Sequence, residues 1–311
     1  MAKETERSKA AEYKLPERSD YPTFPAVPWP AFGPRLEELL QATIVRMERE
    51  WPVQLRILGS ANALFEILAR STVNTFHTIK ILSLENASWP LWPEDVLSVP
   101  PLTRTLLDTL FSTVYLLDDL PAHTAQYYQG GWREAWEEHD RYAHKYAAAP
   151  GWSEWINEHQ MLLDRSADHF GITAAQRANP KTLPRWPLPS KMARRCASTE
   201  RRDLLNYLYD WYYHYLSAQS HLSYTGLAMR AAALIPGQEP GDRAWKLDKM
   251  RSDQFFAATL MVLAFASEIE LEFHYGDTQR LVYVWTFLAE HLGMAKDLYE
   301  PWYRTRLAPS A

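Results

Sequence analysis

The chain has 311 residues, 47% of them hydrophobic, 23% charged and 13% aromatic, with 11 Gly and 21 Pro. That composition excludes a disordered, collagen-like or low-complexity polypeptide and can supply a core without disulfide or metal staples. A formal net charge of -5 gives no global attraction to nucleic acid or to an anionic membrane surface, so any such binding has to be local.

The first residues, Met1 to Lys9, contain no apolar stretch of the kind a secretory signal needs. A single cysteine, Cys196, excludes an intramolecular disulfide and a thiolate zinc cluster. Both features lead to the expectation of a cytoplasmic protein. Residues 1–34 read as a charged tail and a proline-rich, extended arm that lies over the body through Tyr21, Phe24, Trp29 and Phe32. Proline inside a helix costs about 3 kcal/mol or more, so the proline-free windows of 35–300 mark where helices can run. Helices are predicted at about 35–51, 53–83, 102–119, 132–148, 152–169, 199–235, 252–275 and 278–292. They should form one compact all-α bundle of mostly antiparallel helices, followed by a C-terminal tail at 301–311. Gly130 and Gly131 fall where a helix would stop. No segment alternates with the period of a strand. Phe255 to Ala266 is almost wholly apolar, but a bilayer span needs about 20 such residues, so it reads as a central core helix and no membrane partner is expected.

Two helices carry unusual polar content. In 102–119, Leu106, Leu107, Leu110, Val114 and Leu117 share one side, while Arg104, Thr105, Asp108, Thr109, Ser112 and Tyr115 share the other. A face built from hydroxyls and one Arg–Asp pair at i,i+4 suits a groove; the plain alternative is a solvent face rich in Thr and Ser. In 199–235, a narrow stripe takes Asp203, Asn206, Asp210, Tyr213, His214, Ser217, His221 and Tyr224. Asp210/His214, Tyr213/Ser217 and Ser217/His221 stand at i,i+4 and can touch. Bordered by Ala and large aromatics, the stripe reads as an inward-facing polar seam, in which Asp210 would orient His214 and a histidine could move a proton. The alternative is a structural network that fixes helix register.

The segment from Pro101 through Arg104 to Asp108, with Tyr115 beyond it, and the run Tyr213-His214-Tyr215-Leu216-Ser217 ending in His221, resemble a family of all-helical bacterial proteins of unknown function. Its members carry an Arg-x-x-x-acid helix and a later Tyr-x-x-x-Ser-x-x-x-His helix. The resemblance spans roughly 50–235 and implies a helical fold and a shared site, with no established activity attached. Asp108 stands where that family more often has Glu.

Other chemistries have less in their favour. None of the ten histidines has an acid three residues before it, against a carboxylate-bridged di-iron bundle. Asp210/His214 or Glu270/His274 would supply only part of a metal site, so no metal or other cofactor is expected. Helical ribonucleases of the HEPN type use an Arg and a His separated by four to six residues. Arg70/His77 and Arg133/His139 match that spacing, about as often as chance provides, and only the first pair shares a helix face. The stretch 177–202 holds Arg177, Lys181, Arg185, Lys191, Arg194, Arg195, Arg201 and Arg202 against the single acid Glu200, with Trp186 among them. It could follow an RNA backbone and stack a base, or dock onto the acids Glu268, Glu270 and Glu272 of the same chain. Neither a Gly-x-Ser-x-Gly elbow nor a phosphate-binding glycine loop is present.

The leading expectation is a polar pocket between 102–119 and 199–235 that binds a small or anionic ligand. Arg104, Asp108, Tyr213 and Tyr224 would bind it, and His221, His214, Asp210 and Ser217 would carry any chemistry. An RNA-cleaving or RNA-binding helical module and a non-catalytic interaction protein with a structural seam are the alternatives, and a homo-oligomer is compatible with each.

Overall fold

The computed structural model describes residues 29–50, 60–84, 93–220, 227–228, 231 and 242–308. In chain order the helices are α1 (Trp29–Glu50), α2 (Ala61–Ser83), α3 (Val99–Asp118), α4 (Leu120–Tyr146), α5 (Trp152–His169), α6 (Ala174–Ala178), α7 (Pro189–Arg195), α8 (Thr199–Leu208), α9 (His214–Ser220), α10 (Asp242–Phe273), α11 (Thr278–His291) and α12 (Gly293–Leu298). Short 3-10 turns occupy Pro93–Ser98 and Pro180–Thr182. Two π turns, Tyr209–Tyr213 and Tyr299–Tyr303, extend α8 and α12. The described residues contain no strand, and the fold is all-α.

Two helices organise the rest. α10 lies against α3, α2, α1 and α11, while α3 also touches α4, α7, α8 and α9. Every residue from Gln254 to Glu270 is buried, which explains why Phe255 to Ala266 has no polar face. Lys249–Phe273 has the length and a mean hydropathy, 1.4, that would suit a bilayer, yet 94% of its most apolar window is buried in the fold. Several of the polar groups it carries inward find partners. The Gln254 amide donates to Gln219 at 2.7 Å, and Ser267 accepts the Trp285 indole N–H at 2.9 Å.

The three acids near its end all have partners. Glu268, wholly buried, receives two hydrogen bonds from Arg306 at 2.7 and 3.2 Å and faces Arg201 at 3.5 Å. Glu272 accepts from Arg201 at 2.8 Å. Glu270 reaches forward instead, accepting the Gly276 and Asp277 N–H groups at 3.0 and 3.1 Å and the Thr278 hydroxyl at 2.8 Å. It therefore braces the turn leading into α11, near whose start a negative charge is favoured by the helix dipole.

Several boundaries differ from expectation. The supposed arm is helical from Trp29, because Pro30 and Pro34 fall in the first two turns, where few backbone donors are lost. Phe32 is fully buried, and Trp29 packs on Phe255 and Phe76. Tyr21 and Phe24 lie outside the described residues. The supposed tail is a wall of the core through Leu307: the Tyr303 ring, fully buried, stacks on Trp285 at 5.1 Å. α6, α7 and α12 are short and went unpredicted. The portion of 199–235 beyond Ser220 falls largely outside the described residues.

α4 begins at Leu120 and passes straight through Gly130 and Gly131. Gly130 is a notch rather than a stop. The chain at Pro184 to Trp186 lies so close that a Cβ on Gly130 would sit 2.8 Å from the Trp186 amide nitrogen, whereas a Cβ on Gly131 would meet nothing within 4 Å. Helix propensity alone favours Ala over Gly by about 1 kcal/mol at both positions. We expect Gly131→Ala to raise the unfolding midpoint and Gly130→Ala to lower it; equal stabilisation in chemical denaturation would show that the notch is not filled.

Candidate functional site

The two motif helices meet. Arg104 Nε and Nη2 donate to the two carboxylate oxygens of Asp108 at 3.0 and 3.1 Å, as the i,i+4 spacing predicts. Arg104 Nη1 donates to the Tyr213 carbonyl at 3.3 Å, and the guanidinium lies 3.3 Å from the centroid of the Tyr213 ring. The arginine side chain is 13% exposed, that of Asp108 47%. The same ring packs edge-on against Phe111 of α3. Further along, the Ser220 hydroxyl donates to the Pro100 carbonyl at 3.3 Å, so α9 runs antiparallel to α3.

The hydroxyls expected in a groove are otherwise engaged. Thr105 and Thr109 donate to the carbonyls of Pro101 and Thr105 on their own helix. Tyr115, placed on the polar side by the periodicity, is buried, with its hydroxyl 3.3 Å from Gln126 Oε1 and its ring stacked on His123. Burial raises its pKa above the usual tyrosine value, against the opposing influence of Arg195.

The second motif helix departs from its α register at Tyr209–Tyr213. A π turn takes in an extra residue, so neighbours on its surface shift from i,i+4 toward i,i+5. Asp210 and His214, expected to touch, are both exposed and form no pair among the described residues. His214 instead lies edge-on to Tyr209, five residues back, at 4.8 Å. Tyr209 also stacks on Tyr213 at 4.9 Å. Ser217 is half-buried and makes no hydrogen bond among the described residues. Asp203 and Asn206 are exposed as well, so this part of the stripe faces water rather than the interior. The reason is that Leu204, Leu205 and Leu208 supply the buried face of α8. Its bordering aromatics pack sideways, Tyr207 against Trp302 at 4.7 Å. His221 and Tyr224 lie outside the described residues. The structure thus joins Arg104, Asp108 and Tyr213 and leaves Asp210 and His214 on the surface.

The arginines of both HEPN-type pairs are engaged elsewhere. Arg70 pairs with Glu66 and Glu48 on its exposed face. Arg133 bonds Glu137 at 2.9 Å and the carbonyls of Lys181 and Leu183 at 3.0 and 2.5 Å, fastening that loop to α4. His139 points to α5, its Nε2 3.2 Å from the Ile156 carbonyl. No three His, Cys, Asp or Glu side chains group as a metal site among the described residues.

Much of the basic stretch is paired internally: Arg177 with Asp168, Arg185 with Glu137, and Arg201 with Glu272 and Glu268. Hydrogen bonds from Arg133 and Arg185 hold the Glu137 carboxyl below the usual carboxylate range. Trp186 is wedged edge-on against Tyr127 and Tyr115 at 4.9 and 5.4 Å, which removes it as a platform for a base. The predicted docking of this stretch onto the acids is made by Arg201; Arg306, its counterpart from the C-terminal segment, carried no signal in the sequence. A groove of about 480 Å³ lies elsewhere, between the starts of α2 and α4 and the end of α5, and takes no residue from either motif.

An all-helical protein in which an arginine of one signature helix clamps a tyrosine of another is the class these observations define. The chain belongs to a family of unknown function, DUF5677, whose model matches residues 62–232, more than half of its length. That span includes α2 to α9 and both motifs, in agreement with the resemblance read from Arg104, Asp108, Tyr213, Ser217 and His221. No curated protein and no solved structure matches the chain.

Cys196 is buried, and its thiol is pushed up to about 12 by burial, with Asp118 adding to the effect. A thiol held protonated is a poor nucleophile. Alkylation by iodoacetamide at neutral pH should therefore proceed only as fast as the protein opens; a rate matching that of free cysteine in native buffer would contradict this burial.

Proposed function

We propose that the chain is a non-catalytic helical interaction module whose polar seam is structural. The observation that carries this reading is the commitment of Arg104. Three of its hydrogen bonds are made within the chain, its flat face lies on Tyr213, and its charge is balanced by Asp108. An arginine so placed has little charge left to offer a small anion. Asp108 is half-exposed, so the ion pair itself contributes little. The carbonyl bond and the ring contact do more, and they hold α9 to α3 across the π turn. Asp210 and His214, open to water and apart from each other, lack the mutual orientation that proton transfer requires. The single buried thiol supports a reducing compartment such as the cytoplasm.

A double-mutant cycle tests the clamp. Arg104→Met should cost about 1–3 kcal/mol in urea unfolding, and Arg104→Met with Tyr213→Leu should reveal a coupling of about 0.5–2 kcal/mol. Thermal melts in inorganic phosphate provide the contrast: the clamp predicts equal shifts in wild type and Arg104→Met. A negligible stability loss combined with phosphate stabilisation of the wild type alone would return Arg104 to ligand binding.

A further inference from the structure

Once the internal pairs are set aside, the basic stretch keeps a residue of charge that the fold does not use. Lys191, Arg194 and Arg195 stand at i, i+3 and i+4 on α7, so they share one face, and all three are exposed. The opposite face, with Met192, Ala193 and the adjoining Cys196, is buried in the core. Neither Lys191 nor Arg194 forms an ion pair or side-chain hydrogen bond among the described residues, and Arg195 lies beside the Tyr115 hydroxyl. Two acids of α3 and α4 are already engaged. Asp118 accepts the Ala197 and Ser198 N–H groups at 2.7 and 2.9 Å, and Glu137 is held by Arg133 and Arg185. In a chain with 38 acids against 33 bases, three neighbouring exposed cations without an ion pair among the described residues are a local reversal of the overall charge.

We infer that this face of α7 binds the phosphodiester backbone of a nucleic acid. A flat guanidinium matches two phosphate oxygens, and a row of three cations matches a repeating anion better than a single small one. With Trp186 half-buried and packed edge-on against Tyr127 and Tyr115, recognition is of the backbone and independent of sequence. A bilayer fits less well, because the apolar side of α7 is already buried and Leu188, 65% exposed, is the one large apolar side chain beside it. The inference is independent of the seam.

Fluorescence anisotropy of the full chain with a labelled oligouridine RNA and a labelled DNA duplex provides the test, and separates the two sources of backbone. Three phosphate contacts predict affinity that falls roughly hundredfold between about 25 and 200 mM salt. Lys191→Glu with Arg194→Glu should weaken binding at least about tenfold and flatten the salt dependence. Because neither residue has a side-chain partner among the described residues, the variant should keep the wild-type unfolding midpoint. Arg165→Glu, an exposed site on α5, should leave binding unchanged. Absence of binding to both probes at low salt, equal binding by the double variant, or binding confined to vesicles of anionic lipid would overturn the proposal.

Discussion

The fold depends on a helix with no exposed side. Burying α10 from Gln254 to Glu270 obliges the protein to pair the charges along it, and the severe case is Glu268, a carboxylate with no access to water. An isolated carboxylate cannot be left there, since desolvation would cost several kcal/mol. The solution draws on two separate parts of the chain: Arg201 enters from α8 and Arg306 from the segment after α12. One buried charge therefore fixes where α8 begins and where the C-terminal segment lies. The Trp285–Tyr303 stack and the Trp285–Ser267 hydrogen bond reinforce the second of these.

With the start of α8 fixed, the seam follows. α8 places its leucines against α3, the π turn re-phases the helix, and Tyr213 arrives under Arg104. Without the extra residue of that turn, Asp210 and His214 would stand at contact spacing. With it, the ring of Tyr209 takes the place of Asp210 beside the imidazole. Register, rather than composition, thus decides whether this family surface presents a paired His–Asp or two separate side chains.

The helical class, the buried nature of Phe255 to Ala266 and the Arg104–Asp108 pair were legible because each follows from local spacing. So was the meeting of the two motif helices, since Arg104 and Tyr213 belong to the motifs that carry the family resemblance. The π turn was not, because nothing in Tyr-Asp-Trp-Tyr-Tyr distinguishes a five-residue turn from an α-helical one. Gly130 was read as a stop because a glycine's need for close approach depends on a partner, Trp186, far away in sequence. Arg306 was hidden for the same reason: its role is set by a carboxylate 38 positions earlier. His221 and Tyr224 complete the motif in sequence and lie outside the described residues.

The central claim is that a single buried carboxylate ties α8 and the C-terminal segment to the core. Its most direct measurement is the unfolding free energy of Arg306→Met alone and together with Glu268→Leu. The account predicts that the single substitution costs on the order of 3 kcal/mol, because a buried charge is left undercompensated, and that adding Glu268→Leu recovers most of the loss. A single variant within about 0.5 kcal/mol of wild type, or a double variant weaker than the single one, would contradict it.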